Sequence, residues 1–241
     1  MTNTAGTTTG NSAMGALFAM FYEPSKTFAS LESKRHAWLP LVLVMLSTCA
    51  LLMWYFSVVD FSWMIDQMNA GIKDAAVREK AAGMMTRGVL QTSALVASLV
   101  MIPLVTVVMG VYFMLVAKSM GKEFGFGAGF ALSAWSGVTS LLLLPLGGMQ
   151  ILLSSNHQIA SSELNPLSLN QLFFHYGMDN KLAGPLDMVS LTTIWGMILM
   201  VIGFQAWAKV SRSAATAVVV IPYAVIFAGW FGFAMMMSKA V

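Results

Sequence analysis

The sequence predicts an all-α integral membrane protein: five transmembrane helices, an N-terminal amphipathic interfacial helix and short amphipathic helices in the outer loops. The 241 residues are 58% hydrophobic and only 10% charged, whereas an ordinary globular protein is about 25% charged. Mean hydropathy is +0.75. Five stretches without Asp, Glu, Lys or Arg are long enough, at about 20 residues, to cross a ~30 Å hydrocarbon core as helices.

The predicted spans cover residues 37–59, 88–117, 126–154, 188–208 and 214–237. Trp38 and Pro40 mark the start of the first span, as is typical of a membrane interface and of a first helical turn. Residues 209–213 alone join the last two spans, which predicts a tight turn. Interior prolines predict helix kinks, because proline removes a backbone donor; they are Pro103, Pro145 and Pro222.

Three regions make up the predicted domain organisation: a flexible tail at residues 1–11, a cytoplasmic amphipathic segment at 12–36 and the membrane domain at 37–241. In the second region, Ser12 is a predicted N-cap, and the apolar residues that follow fall on one helical face. They are Met14, Leu17, Phe18 and Phe21. We expect this helix to lie at the membrane surface.

A second short helix is predicted after Pro24, with Ser25 as its cap and Phe28 on it. Lys34 and Arg35 then meet the anionic cytoplasmic leaflet. This region serves either as an anchoring elbow or as a surface that docks a partner, because amphipathic helices do both.

The distribution of positive charge predicts the orientation in the membrane, since short loops rich in Lys and Arg stay on the cytoplasmic side. Seven basic residues fall on the N-terminal side and six on the other, but the seven lie in much shorter loops. They are Lys26, Lys34, Arg35, Lys118, Lys122, Lys209 and Arg212. We expect a cytoplasmic N-terminus and an external C-terminus. The net charge of +3 is thus an orientation signal, and no nucleic acid is expected as a partner.

Two outer segments are predicted to carry short helices. In residues 60–87 an apolar face recurs at helical spacing, with Asp74 and Arg78 one turn apart on the wet face. The apolar residues are Phe61, Ile65, Met68 and Ile72. In residues 155–187, Asn165 and Pro166 predict a helix start.

No catalytic residue, metal or cofactor is expected. Cys49 is the single cysteine, and the spacing of His157 and His175 matches no zinc pattern. Every charged residue and histidine lies in a loop or at a span end, which argues against a proton-coupled carrier, an ion pump or an intramembrane protease. The glycines of residues 125–130 lack the spacing of a dinucleotide site.

Small residues recur every four positions on the third and fifth spans, which predicts close helix packing. They pack either within the bundle, the favoured interpretation, or between protomers. They are Gly125, Gly129, Ser133 and Gly137 on the third span, and Ala224, Ala228 and Gly232 on the fifth.

Two segments resemble a known family. In residues 21–46 an apolar stretch, a Pro-x-x-x-Phe element, a polar and basic segment and the first span follow in order; residues 117–137 resemble a Gly-Lys turn that leads into a small and aromatic third span. The residues concerned are Phe21, Pro24, Phe28, Gly121 and Lys122. This order resembles bacterial members of the Yip1-domain family. The resemblance implies a five-span protein of the bacterial inner membrane and supplies no catalytic residues.

The first functional hypothesis is a non-enzymatic membrane scaffold or accessory subunit, which binds the lipid bilayer and a membrane-protein partner or a second copy of itself. The alternative is a small transporter, channel or permease subunit that uses the proline-broken spans, because discontinuous helices mark many transport sites. A lipid-directed membrane enzyme is a third possibility, but the sequence shows no clustered catalytic groups for it.

Overall fold

A computed structural model describes residues 13–33 and 35–239. Eleven α-helices form this part of the chain, without a β-strand. They are α1 (Ala13–Tyr22), α2 (Pro24–Leu31), α3 (Trp38–Val58), α4 (Phe61–Asn69), α5 (Ala75–Met84), α6 (Arg87–Ser119), α7 (Phe126–Ser136), α8 (Leu143–Leu153), α9 (Ala183–Met188), α10 (Leu191–Ala208) and α11 (Arg212–Lys239).

The fold class is confirmed, because five helical stretches are long and apolar enough to cross a membrane. Their bounds lie within a few residues of the predicted spans: Trp38–Val58, Arg87–Ser119, Phe126–Leu153, Leu191–Ala208 and Arg212–Met237. Low charge and length determine such spans almost completely, since backbone polar groups in lipid are satisfied within a helix. The chain is therefore a multi-pass membrane protein.

The N-terminal segment contains two helices, α1 and α2, separated by Glu23. Pro24 begins α2 and Glu23 stands at its N-cap position, so the predicted cap at Ser25 is wrong. Proline suits the first helical position because no intrahelical partner is lost there. The predicted tail at residues 1–11, the Ser12 cap and Lys34 lie outside the described residues.

The outer segments differ from their predicted form. The first holds two helices, each begun by an aspartate cap: Asp60 accepts from the Trp63 amide and Asp74 from the amides of Ala76 and Val77. Asp74 is thus a cap, and the predicted pair with Arg78 is wrong because that guanidinium donates to the Ile72 carbonyl.

The second outer segment contains short helices, among them α9, as predicted, but the predicted start at Asn165 is wrong. That residue ends a 3₁₀ turn at Ser161–Leu164, and a short π-helical turn follows at Asn170–Phe174.

The third span is interrupted, whereas α6 and α11 continue through Pro103 and Pro222. A 3₁₀ segment, Gly137–Leu142, separates α7 from α8. Pro145 lies in the first turn of α8, and its missing N–H leaves the carbonyl four residues earlier without an α-helical donor, so the preceding turn tightens. The change from α-helix to 3₁₀-helix therefore lies just before Pro145, where the bend is predicted.

Two compact units are distinguished. The described residues of Met1–Val42, with Val105–Val138 and Gly196–Val219, form the first. Its interior is largely aromatic, and its fully buried members include Phe28, Phe113, Trp135 and Phe204.

The second unit contains the described residues of Leu43–Leu104, Thr139–Trp195 and Val220–Val241. Tyr55, on α3, is buried in its core, and the phenol donates to the Ile159 carbonyl over 2.9 Å. Glycines let this unit pack closely: a Cβ on Gly147 would lie 2.8 Å from the Leu164 carbonyl oxygen, and one on Gly148 2.7 Å from the Trp54 ring.

Candidate functional site

The N-terminal segment is fixed in the first unit by Phe28. Its side chain is completely buried, and its ring meets the Trp207 indole edge-on, with centroids 5.3 Å apart. The indole Nε1 donates to the Phe28 carbonyl oxygen over 2.7 Å. Phe28 was predicted to belong to an interface; it is instead an internal anchor, because no part of its ring reaches the surface.

A second indole holds the end of the same segment. Trp135 Nε1 donates to the Arg35 carbonyl oxygen over 2.8 Å, and the Arg35 guanidinium lies 5.2 Å from the centroid of the Trp207 ring. Cations are attracted to the face of an indole. Two tryptophans therefore position the chain that leads into α3.

The outward face of α1 is apolar. Met14, Phe18 and Tyr22, spaced by four residues, are 53%, 68% and 68% exposed, whereas Leu17 and Met20 are buried. Of the predicted face, Leu17 thus points inward. Because α1 packs against the anchored α2, its exposed residues are presented in a fixed direction. Both faces are apolar, so exposure to water is costly.

Of the remaining motif residues, Phe21 is half-buried and Pro24 starts α2. Gly121 and Lys122 end α6. The amide of Lys122 donates to the Ala117 carbonyl and that of Gly121 to the Lys118 carbonyl, and Gly121 has φ +67°. This is the Schellman arrangement, which glycine favours because it tolerates a left-handed backbone. The Gly-Lys turn is a helix terminus.

On the third and fifth spans, close helix packing is found at only one glycine of the predicted stripes, whereas on the fourth span a Cβ on Gly203 would collide with the Leu132 side chain. A Cβ on Gly129 would collide with the carbonyl oxygen of Gly110, and one on Gly110 would lie 2.9 Å from the Phe130 nitrogen. The α6 and α7 backbones therefore touch, and Ser133 is buried one turn further on. Gly110 was missed because it lacks neighbours at four-residue spacing.

The other stripe positions do not pack within the described chain, so that prediction is wrong for them. Nothing lies within 4 Å of a Cβ placed on Gly125, Gly137 or Gly232. Ala224 and Ala228 are exposed on α11.

A cavity of about 220 Å³ lies within the second unit. Five leucines and five uncharged polar residues line it, and none of the lining residues carries a charge. The polar residues are Ser47, Thr48, Ser140, Ser161 and Asn165. Sequence reasoning missed this cavity, because its lining comes from α3, the interrupted third span and the following loop. Among the described residues, no group of three or more His, Cys, Asp or Glu side chains is placed to hold a metal.

Comparison with known proteins identifies one family. The model described as the Yip1 domain matches residues 18–233. The match begins within α1 and ends within α11, so it includes the first four spans completely and most of the fifth. No curated protein and no solved structure matches the sequence significantly.

Proposed function

Because this chain belongs to the Yip1 domain family, we propose that it is a non-enzymatic protein of a bacterial inner membrane that acts as a scaffold or accessory subunit for a membrane-protein partner. In this proposal the N-terminus is cytoplasmic and the C-terminus periplasmic, as the dense positive charge of the N-terminal-side loops favours. No catalytic residue and no cofactor takes part.

The outward face of α1 is the observation that carries the proposal. A simple lipid anchor needs no fixed orientation, whereas a docking helix gains from being held in place before it binds. Here Phe28 is buried and its carbonyl is hydrogen-bonded by Trp207, so α2 gives α1 a rigid support. Phe18 and Tyr22 then supply large aromatic contacts of the kind that contribute most at interfaces.

Site-specific photocrosslinking in native membranes tests this role. A photoreactive residue at Phe18 should form a discrete protein adduct, and Met14→Ser with Tyr22→Ser should abolish it. Val225 is the matched control, because it is 66% exposed, against 68% for Phe18, but lies on the fifth span. It should capture lipid.

Two results contradict the proposal. One is an adduct pattern at Phe18 that equals the pattern at Val225. The other is an adduct of twice the chain's own mass, which identifies a second copy rather than a partner. Phe28 is unsuitable for this experiment because its replacement would disturb the core.

The transporter alternative rested on three prolines, and two of them give it no support. Both Pro103 and Pro222 lie inside continuous helices. Pro145 alone lies beside an interruption, the 3₁₀ segment Gly137–Leu142 of the third span. Flux through sealed proteoliposomes remains its direct test.

A further inference from the structure

We propose that the cavity of the second unit binds the glycerol-ester portion of an uncharged lipid, with diacylglycerol as the representative ligand. This inference does not depend on the accessory-subunit role. It rests on the depth of the cavity, on the buried acceptor Asn165 Oδ1, which has no hydrogen-bond partner among the described residues, and on the absence of charge among the lining residues.

The depth of the cavity follows from its lining. Thr48 is near the middle of α3, and Ser140 is near the middle of the third span, so both hydroxyls lie well inside the hydrocarbon layer. Ser161 is exposed and Leu164 is buried, so the cavity reaches from the surface of the chain into its interior. The cavity lining is mostly apolar with a few polar groups, and these polar groups need water or the polar part of a ligand, because lipid tails offer no hydrogen bonds.

The polar groups are available for a ligand. Asn165 Oδ1 is buried and accepts no hydrogen bond within the described chain. Ser47 already donates to the Val44 carbonyl and so retains only acceptor capacity. An unpaired buried acceptor destabilises the protein, so a ligand that brings a hydroxyl donor to Asn165 removes this cost.

The chemistry of the lining selects the ligand. A carboxylate or phosphate would find no cation among the lining residues, and a charge at this depth is strongly unfavourable. Diacylglycerol has one free hydroxyl that can donate to Asn165 and ester carbonyls that can accept from Thr48 or Ser140. The cavity of about 220 Å³ has room for the glycerol-ester portion, and its leucines match the first methylenes of the acyl chains, whose remaining length extends into the bilayer. Without a charged headgroup the ligand can enter below the interface.

Native mass spectrometry of the full chain in detergent, with 1,2-dioleoylglycerol as the probe, tests the proposal. We expect a one-to-one adduct in the natural protein. Thr48→Val and Asn165→Leu should each weaken it by about tenfold, the value of one hydrogen bond. Ser57→Ala is the control, because this serine is on the same helix, outside the cavity, and donates to the Trp54 carbonyl. It should leave the adduct unchanged.

Two comparison ligands test which parts of diacylglycerol are needed for binding. Dioleoylphosphatidylglycerol tests the requirement for neutrality, and free glycerol tests the need for acyl chains; both should bind at least tenfold more weakly. A natural protein without an adduct, equal adducts in the cavity variants, or equal binding of either comparison ligand would overturn the proposal. Without lipid, the thermal unfolding midpoint of Asn165→Leu should be at least as high as that of the natural protein. A weaker adduct in this variant then reflects lost binding and not a misfolded protein.

Discussion

Trp207 and Phe28 are joined twice, by a 2.7 Å hydrogen bond from the indole to the carbonyl oxygen and by an edge-on ring contact. The two residues are 179 positions apart. Phe28 belongs to the segment before the first span and Trp207 to the end of the fourth. A buried indole N–H needs a partner, and here the partner is the backbone of the docked segment.

Replacing Trp207 by Phe should leave the Phe28 carbonyl oxygen without its donor while keeping an aromatic ring in place. We expect a loss of about 1–3 kcal/mol in the free energy of unfolding, the usual cost of an orphaned buried polar group. Denaturant titration in detergent measures this loss. Trp38→Phe is the control, because Trp38 is 70% exposed; it should change stability by less than about 0.5 kcal/mol. Equal losses would mean that the hydrogen bond contributes nothing specific.

The contact between Gly129 and Gly110 makes a second prediction. Gly129→Ala would force a Cβ against the Gly110 carbonyl, and because a backbone atom cannot move aside as a side chain can, we expect a loss of about 1–3 kcal/mol or more. The Gly232→Ala control meets nothing within 4 Å and should be neutral or stabilising by up to about 1 kcal/mol, since alanine favours a helix. The unfolding midpoint of Gly129→Ala should therefore be lower than that of the natural protein, and that of Gly232→Ala should be equal or higher. Equal midpoints for the two variants would contradict the prediction.

Arg87 closes the end of the first span. Its guanidinium donates to the carbonyl oxygens of Phe56 and Val59, the second over 3.0 Å, and lies 5.3 Å from the centroid of the Phe61 ring. The Phe56 carbonyl lies in the last turn of α3 and Val59 follows the last residue of that helix; a cation is favourable at this end of a helix.

We expect Arg87→Met to lower the free energy of unfolding by about 1.5–3 kcal/mol, as for hydrogen bonds to a charged group. Arg78→Met is the control, because the exposed Arg78 donates only to the Ile72 carbonyl; its effect should stay within about 0.5 kcal/mol. If Arg78→Met lowers the free energy of unfolding as much as Arg87→Met does, the effect comes from removing a charge and not from the hydrogen bonds of Arg87.

The spans could be predicted from the sequence because length and missing charge are local properties. The contacts could not, because each depends on residues far apart in the chain. Phe28 was recognised as a motif residue, but Trp207 alone explains why it is buried. Gly129 was predicted through a four-residue spacing, while its partner Gly110 has no such spacing. The cavity could not be predicted either, since Thr48 and Asn165 come from segments that only the fold brings together.

The cap at Asp60 makes a pH-dependent prediction. The Trp63 amide, more than the Gln158 side chain, stabilises the carboxylate and lowers the pKa of Asp60 below its ordinary value of 3.8. A pKa that is lower in the folded state contributes stability above the unfolded value, and this contribution disappears as pH falls through the folded value. The stabilisation from the Asp60 charge should therefore be complete above about pH 5 and should disappear in the acid range below pH 4.

Asp60→Asn keeps a capping oxygen but does not titrate. The difference in thermal midpoint between the natural protein and Asp60→Asn should thus shrink towards zero as pH is lowered from 6 to about 2.5, while the other carboxylates cancel in the comparison. Asp66→Asn, at an exposed position of the same helix, is the control for the loss of a carboxylate that does not cap the helix, and its thermal midpoint at neutral pH should differ little from that of the natural protein. A difference for Asp60→Asn that does not change with pH would show that the charge of Asp60 contributes nothing to the cap.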